Sequence, residues 1–280
     1  MTTQFIREVV VDIGPAGEEG VRIEELRVAF TCDKDLDQEP NQGNVAIVNL
    51  SPATRSRVAV KGNKLLLYAG YRDAGGPVLL FAGDITRTRT RYQGTDITTE
   101  IEVADGQGTY RQSYTSLGLG TGSLASSAIR EAAKDMGLTI RTLDIEDRRL
   151  GAGFSMVAPS REILQRTCTA VDAEWSIQND ELQVIRRKQT NGSEAILLTP
   201  DTGLINSPEP LDDQGGRLDD DSPAAGYSVE ALLQPRAEPG GLIKVESRDV
   251  NAFLRIVSLE HRGDSRDGEF RTRMETEIVQ

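Results

Sequence analysis

The feature that most constrains this chain is a change in hydrophobic period, from two residues to about 3.6 and back again. Up to about Gly108, apolar and polar residues alternate between turn signals, over Phe5 to Ile13, Val21 to Phe30, Val45 to Leu50, Lys64 to Tyr71, Val78 to Arg91 and Asp96 to Val103. Such alternation predicts half-buried strands of an antiparallel β-domain. The segments Gly14-Pro15-Ala16-Gly17, Glu39-Pro40-Asn41-Gln42-Gly43 and Asp73-Ala74-Gly75-Gly76-Pro77 supply the fixed or positive φ at which the chain reverses. Ser51-Pro52-Ala53-Thr54-Arg55 predicts a capping serine, a proline at the first helical position and one helical turn.

The middle, from about Thr109 to Lys188, takes the helical period. Leu124, Ala125, Ala128, Ile129, Ala132, Ala133 and Met136 share one face, with Gly137 as the left-handed stop. A second helix is predicted from Ser160, burying Ile163, Leu164, Cys168 and Val171. Trp175–Gln178 and Glu181–Ile185 alternate around Asn179-Asp180, the pattern of a tight hairpin. Strand signals then return to the end. The expectation is a mainly β protein in three parts: a β-domain over 1–108, a small α/β module over 109–190, and a second β-domain over 191–280 with an acidic loop at 211–222.

The C-terminal strands carry distinctive punctuation. Gly203-Leu204-Ile205-Asn206-Ser207-Pro208-Glu209 is followed by Gly226 to Pro235 (GYSVEALLQP), by Pro239 to Ser247 (PGGLIKVES), and by Phe253 to Asp264 (FLRIVSLEHRGD). This order resembles the baseplate hub proteins of contractile-tailed bacteriophages, the T-even and Mu-like hub family. These show a GLIGSPE-like segment, a leucine-rich strand ending in proline, a PG-hydrophobic-ESR strand and a closing H-x-GD turn. Asn44 to Arg55 (NVAIVNLSPATR), Leu65 to Tyr71, Leu79 to Ile85 and Glu102 to Gly106 are similar to the first barrel of those proteins, so the resemblance spans nearly the whole chain.

The resemblance implies two tail-tube-like antiparallel β-barrels flanking the α/β module, in a homotrimer whose six barrels form a pseudo-sixfold ring. Such a ring would adapt a sixfold tail tube to a threefold central spike. The partners implied are further copies of the chain, a tail tube or distal tube protein, the spike protein and other baseplate proteins, with genome DNA passing through the lumen without specific binding. The location implied is the virion tail, after synthesis in the host cytoplasm. Two alternatives stay open: a spike-complex component of a phage-derived secretion or injection machine, and a tail-associated hydrolase. A fused spike domain would mark the former, and none fits before Gln280.

Composition narrows the chemistry. A net charge of −12 argues against a broad basic face for duplex DNA, and no apolar run reaches the roughly 18 residues of a membrane span. Cys32 and Cys168 form no metal-binding or redox pair, and buried free thiols are expected. His261 is the only histidine, so any histidine-dependent site must use it. No catalytic, cofactor-binding or metal-ligating set is predicted. Gly118-Leu119-Gly120-Thr121-Gly122-Ser123 lacks the spacing of a phosphate-binding loop, and Thr121 or Ser123 is expected as a helix N-cap. Gly263 followed by Asp264-Ser265-Arg266-Asp267-Gly268 is expected to be a hairpin loop between two strands. Between Asp201 and Glu230 eight acids face the single base Arg217, predicting a solvated loop. Arg87, Arg89 and Arg91 alternate with threonines and present three guanidinium groups on one strand face. That face is either solvated or a subunit interface whose acidic neighbour supplies the partners.

Overall fold

The computed structural model describes residues 4–120, 122–151, 154–212, 215–216 and 224–279. The first part contains strands β1 (Arg7–Gly14), β2 (Val21–Ile23), β3 (Val28–Asp35) and β4 (Gln42–Val48), the short helix α1 (Pro52–Val58), and strands β5 (Lys64–Tyr71), β6 (Gly76–Gln93) and β7 (Asp96–Ala104). Ser51 caps α1 as its sequence predicts, its hydroxyl accepting the Thr54 N–H at 3.1 Å. The predicted strand from Val21 to Phe30 is two strands, separated by Glu24–Arg27, and its second half runs on to Asp35.

The middle holds α2 (Gln107–Gln112), β8 (Tyr114–Leu119), α3 (Ala125–Met136), β9 (Thr139–Leu143), β10 (Phe154–Pro159), α4 (Ser160–Ala170), β11 (Ala173–Gln178) and β12 (Glu181–Arg186). Helix α3 ends on Gly137 at φ 68, which returns its N–H to Ala133 and Lys134. Its N-cap is Leu124, not a hydroxyl residue: Ser123 turns its Oγ to the Gly120 carbonyl, and Thr121 lies outside the described residues. The first turn is served from a distance instead, since Asp147 accepts the N–H and hydroxyl of Ser126 at 2.9 and 2.6 Å. Helices α3 and α4 pack on the sheet β11-β12-β9, in which β9 runs parallel to β12, while β8 and β10 form a separate two-stranded ribbon.

The last part is all strand: β13 (Ile196–Leu198), β14 (Leu204–Leu211), β15 (Gly226–Leu232), β16 (Leu242–Glu246), β17 (Asn251–Asp264) and β18 (Phe270–Ile278). These strands and those of the first part make one 13-stranded sheet in the order β14-β15-β18-β17-β3-β4-β7-β6-β5-β1-β2, with β16 on β17 and β13 on β16. No sheet closes on itself among the described residues, so the two barrels expected from the resemblance are not present as closed units in the single chain. The physical reason is β17. Its 14 residues pair β18 along one edge, and along the other they pair first β16 at Asn251–Arg255 and then β3 at Ser258–Asp264. One strand therefore belongs to both halves.

Three apolar clusters lie under this frame, one per part, and the first recruits Leu233 and Phe270 from the C-terminal strands. Phe270 stands edge-on to Tyr71 at 5.3 Å and to Phe30 at 6.1 Å. Gly263 makes room for this cluster, because a Cβ there would lie 2.5 Å from Phe30 and 2.7 Å from Phe270. Gly263 and Asp264 accordingly end β17, and the hairpin loop expected from Gly263 onward begins only at Ser265.

Candidate interaction surface

The α/β module is fixed to the first β-half by the tip of its own hairpin. Asn179 and Asp180 form the β11–β12 turn at φ 56 and 63, a conformation that two-residue hairpins demand and that Asn and Asp tolerate. The tip enters a buried polar notch. Asp105 accepts the N–H groups of Asn179 and Asp180, both at 2.6 Å. Asn179 Oδ1 accepts the Ala82 N–H and the Lys34 ammonium, both at 3.2 Å, and Lys34 also donates to the Leu80 carbonyl at 3.1 Å. Asn41 Nδ2 donates to the Ile177 carbonyl at 2.8 Å, and Gln178 Nε2 to the Asp35 carbonyl at 2.7 Å. At the rim, Lys64 bridges Asp180 at 2.8 Å and Asp84 at 2.9 Å.

Burial drives the electrostatics of this notch. It pushes the Asp105 carboxyl up to about 6 against the pull of the donated N–H groups, and it lowers the pKa of Lys34. A buried polar cluster of this kind is tolerated because its members satisfy one another. On the other side, Arg255 is buried between Glu174 of β11 and Glu277 of β18, and Arg141 reaches Glu238 at 2.7 Å, so the module is also tied to the second β-half. Sequence reasoning singled out none of Lys34, Asn41, Asp105 or Arg255. The Asn179-Asp180 turn was visible, but its socket comes from strands far away in sequence.

The opposite face of the sheet is polar and open. Arg87, Arg89 and Arg91 stand opposite Glu102, Glu100 and Thr98 of β7. Arg87 pairs with Glu102 at 3.5 Å and Arg91 with Glu100 at 2.9 Å, whereas Arg89 has no ion pair among the described residues. These side chains are well exposed, so each pair contributes below about 1 kcal/mol. Next along the face, Ala29, Thr31, Asn44 and Ala46 floor a trough of about 740 Å³ with Arg91, Glu100 and Glu102 on one wall and Arg262, Asp264 and Glu269 on the other. The charges of this face are exposed and, Arg89 apart, largely paired, an arrangement suited to contact with another surface.

The cysteine and histidine side chains lie out of solvent. Cys32 and His261 are registered neighbours on β3 and β17, both fully buried, and Cys168 is buried on α4. Burial pushes both thiols up to about 12 and brings His261 down to about 3, so all three groups are neutral near pH 7. His261 Nδ1 lies 2.9 Å from Thr272 Oγ1. The acidic loop predicted at 211–222 falls largely outside the described residues.

A family model described as Baseplate hub gp41 matches residues 6–276. The chain belongs to the baseplate hub family. Solved structures share the hub fold from end to end at very low identity. The 43 kDa tail protein of prophage MuSo2 from Shewanella oneidensis superposes with a TM-score of 0.66 at 9% identity, covering 98% of both chains. A tail protein from Neisseria meningitidis MC58 gives 0.65 at 11% identity over 96% of both chains. The E. coli c3393 protein, a type VI secretion component described as structurally similar to the T4 tail proteins gp27 and gp5, gives 0.63 at 9% identity over 96% of the hub and 77% of that chain. No curated protein matches the hub sequence. The hub is a structural tail component by family, and no helix among its described residues is long and apolar enough to cross a membrane.

Proposed function

We propose that this hub protein is the adaptor of a contractile phage tail, joining the sixfold tail tube to the threefold central spike. Three copies close a ring, and each contributes two tube-like β units, 1–108 and 191–280, held in fixed relation by the α/β module at 109–190. Six similar units then face the tube while three chains face the spike. The tail tube or distal tube protein, the spike and other baseplate proteins are its neighbours, and genome DNA passes through the lumen without specific contacts. Arg87, Arg89 and Arg91 belong to a subunit contact in this reading.

The observation that supports it best is the fold likeness to phage tail proteins over 96–98% of the chain, combined with a family match from residue 6 to residue 276. Light scattering of the purified chain, alone and with the spike protein, tests it. A trimer in either condition is expected, and a dimer in both would overturn the ring. The likeness to the type VI component c3393 favours a second reading, a spike-complex part of a phage-derived secretion or injection machine. Gold labelling of the protein in DNA-filled virions supports the first reading, and labelling confined to DNA-free contractile particles supports the second.

A further inference from the structure

Strand β8 runs into a glycine-rich segment whose first member, Gly118, lies inside the strand. Nothing in the chain itself requires a glycine there. Its φ is outside the left-handed region, a Cβ added to it would meet no atom within 4 Å, and the β8–β10 ladder passes it without a register shift. Glycine within a strand costs stability. With turn, bulge and internal crowding excluded, its remaining use is to let another backbone or a ligand approach closely. The same open space surrounds Gly120.

The surface around Gly118 is free of charge. From Gln112 to Ile129, and again from Leu150 to Ser160, the sequence holds no Asp, Glu, Lys or Arg, although 27% of the chain is charged. Core packing accounts for one side of the ribbon only: Thr115, Leu117 and Ala158 are buried, with Leu117 and Ala158 in the cluster that α3 and α4 cover. On the other side Ser116 and Gly118 are open, Tyr114 is 67% exposed, and Val157 of β10 is 76% exposed. Ser160 donates to the Ser113 carbonyl at 3.0 Å, which sets the alternation of the ladder. The backbone groups of Thr115 and Leu117 therefore face β10, and those of Tyr114, Ser116 and Gly118 point away from it. These outward groups meet no hydrogen-bonding partner among the described residues. The β8 edge has neither the proline nor the charge that commonly protects an edge, whereas the β10 edge ends at Pro159.

We propose that the β8 edge from Tyr114 to Gly118 receives an uncharged, extended segment of a different tail protein, which pairs with these outward groups and lays a large apolar side chain over Gly118. Aromatic neighbours cover bare strand glycines in this way. A charged segment would lose its hydration against a face that offers no counter-charge. Symmetry excludes a second copy: two β8 edges pair about a twofold axis, which a threefold ring does not supply, so the choice of a different chain rests on the trimer reading.

Hydrogen exchange tests it by comparing the purified full chain with intact tails. The amides of Tyr114, Ser116 and Gly118 should exchange freely in the purified chain and about a hundredfold more slowly in tails. With p-benzoylphenylalanine in place of Tyr114, photolysis of tails should give an adduct to a tail protein other than the hub. Gly118→Val should leave the melting temperature of the purified chain unchanged or raised, because the site is open and valine favours strands. The same variant should lower the yield of adduct-bearing hub roughly tenfold. Equal exchange in the two states, adducts only to another hub copy or to DNA, full adduct yield from Gly118→Val, or a lowered melting temperature would each overturn the proposal. A hub-to-hub adduct together with a dimer in light scattering would overturn the trimer reading as well, whereas a trimer whose β8 amides stay unprotected in tails leaves that reading standing.

Discussion

Asp105 grips Asn179 by the backbone, its carboxylate accepting the Asn179 N–H at 2.6 Å across 74 residues of sequence. The contact makes a rigid seat from a turn that would otherwise wave in solvent. It also defines what the module can lose without unfolding.

Asp105→Asn should cost about 1–3 kcal/mol, since the amide can no longer accept from both Asn179 and Asp180 in that buried notch. Hydrogen exchange should quicken at the amides of Asn179 and Asp180 before the β-sheet loosens. Unchanged exchange at these two positions would show that the remaining contacts of the turn suffice to seat it.

The pH dependence should show two opposing slopes. His261 is held neutral in the fold, near 3 against an ordinary 6.5, because burial and the Lys34 charge oppose its protonation. The unfolded chain therefore binds the extra proton, and this contribution, complete above 6.5, is lost as pH falls toward 3. Asp105 acts the other way, because its folded value of about 6 lies above the ordinary 3.8, so its contribution is present at low pH and lost as pH rises through about 6. Each slope approaches about 1.4 kcal/mol per pH unit, and between about pH 4 and 6 they nearly offset. Urea titrations should find His261→Gln gaining stability on acidification through this window and Asp105→Asn losing it.

Gly263→Ala should destabilise by about 1–3 kcal/mol through overpacking against Phe30 and Phe270. Gly120→Ala, with nothing near its Cβ, serves as the neutral control. Thermal melts of the two variants give the comparison directly.

Both thiols should be silent toward a disulfide reagent in the native protein and react together on unfolding, since each is buried and pushed up to about 12. Rapid labelling of Cys168 without denaturant would reveal local opening of α4. Cys168→Ala should cost about 1 kcal/mol.

Replacing Arg87, Arg89 and Arg91 together by Gln should leave the monomer fold intact, because the exposed pairs with Glu102 and Glu100 contribute below about 1 kcal/mol each. Incorporation into tails should fall. Normal particle yield at low and high salt would show these arginines to be merely solvated.

Much of the fold was legible because one periodicity governs each part. Alternation located most strands, Ser51 and Gly137 marked helix ends, and Asn179-Asp180 named its own turn. What escaped was set by distant partners. Lys34 alternates like any strand residue, yet it points inward because Leu80 and Asn179 offer it acceptors. The cap of α3 comes from Asp147, so the nearby hydroxyls that looked suited to the task are not used. Union of the two β-halves depends on the pairing of β17 with β3, and neither segment carries a local sign of it. The arginine face could be read from spacing alone, but the carboxylates beside it belong to a strand whose register only the fold reveals.

The shared strand β17 also has a mechanical consequence. At about 3.4 Å per residue its 14 residues make a continuous rod of roughly 48 Å. Thrust delivered to one lobe travels along covalent backbone into the other, and the ladders on both sides of the rod resist it in shear, many hydrogen bonds sharing the strain at once. Lobes strung on a flexible tether would buckle at the tether under the same push. Here the shared strand ties the two halves into a single plank.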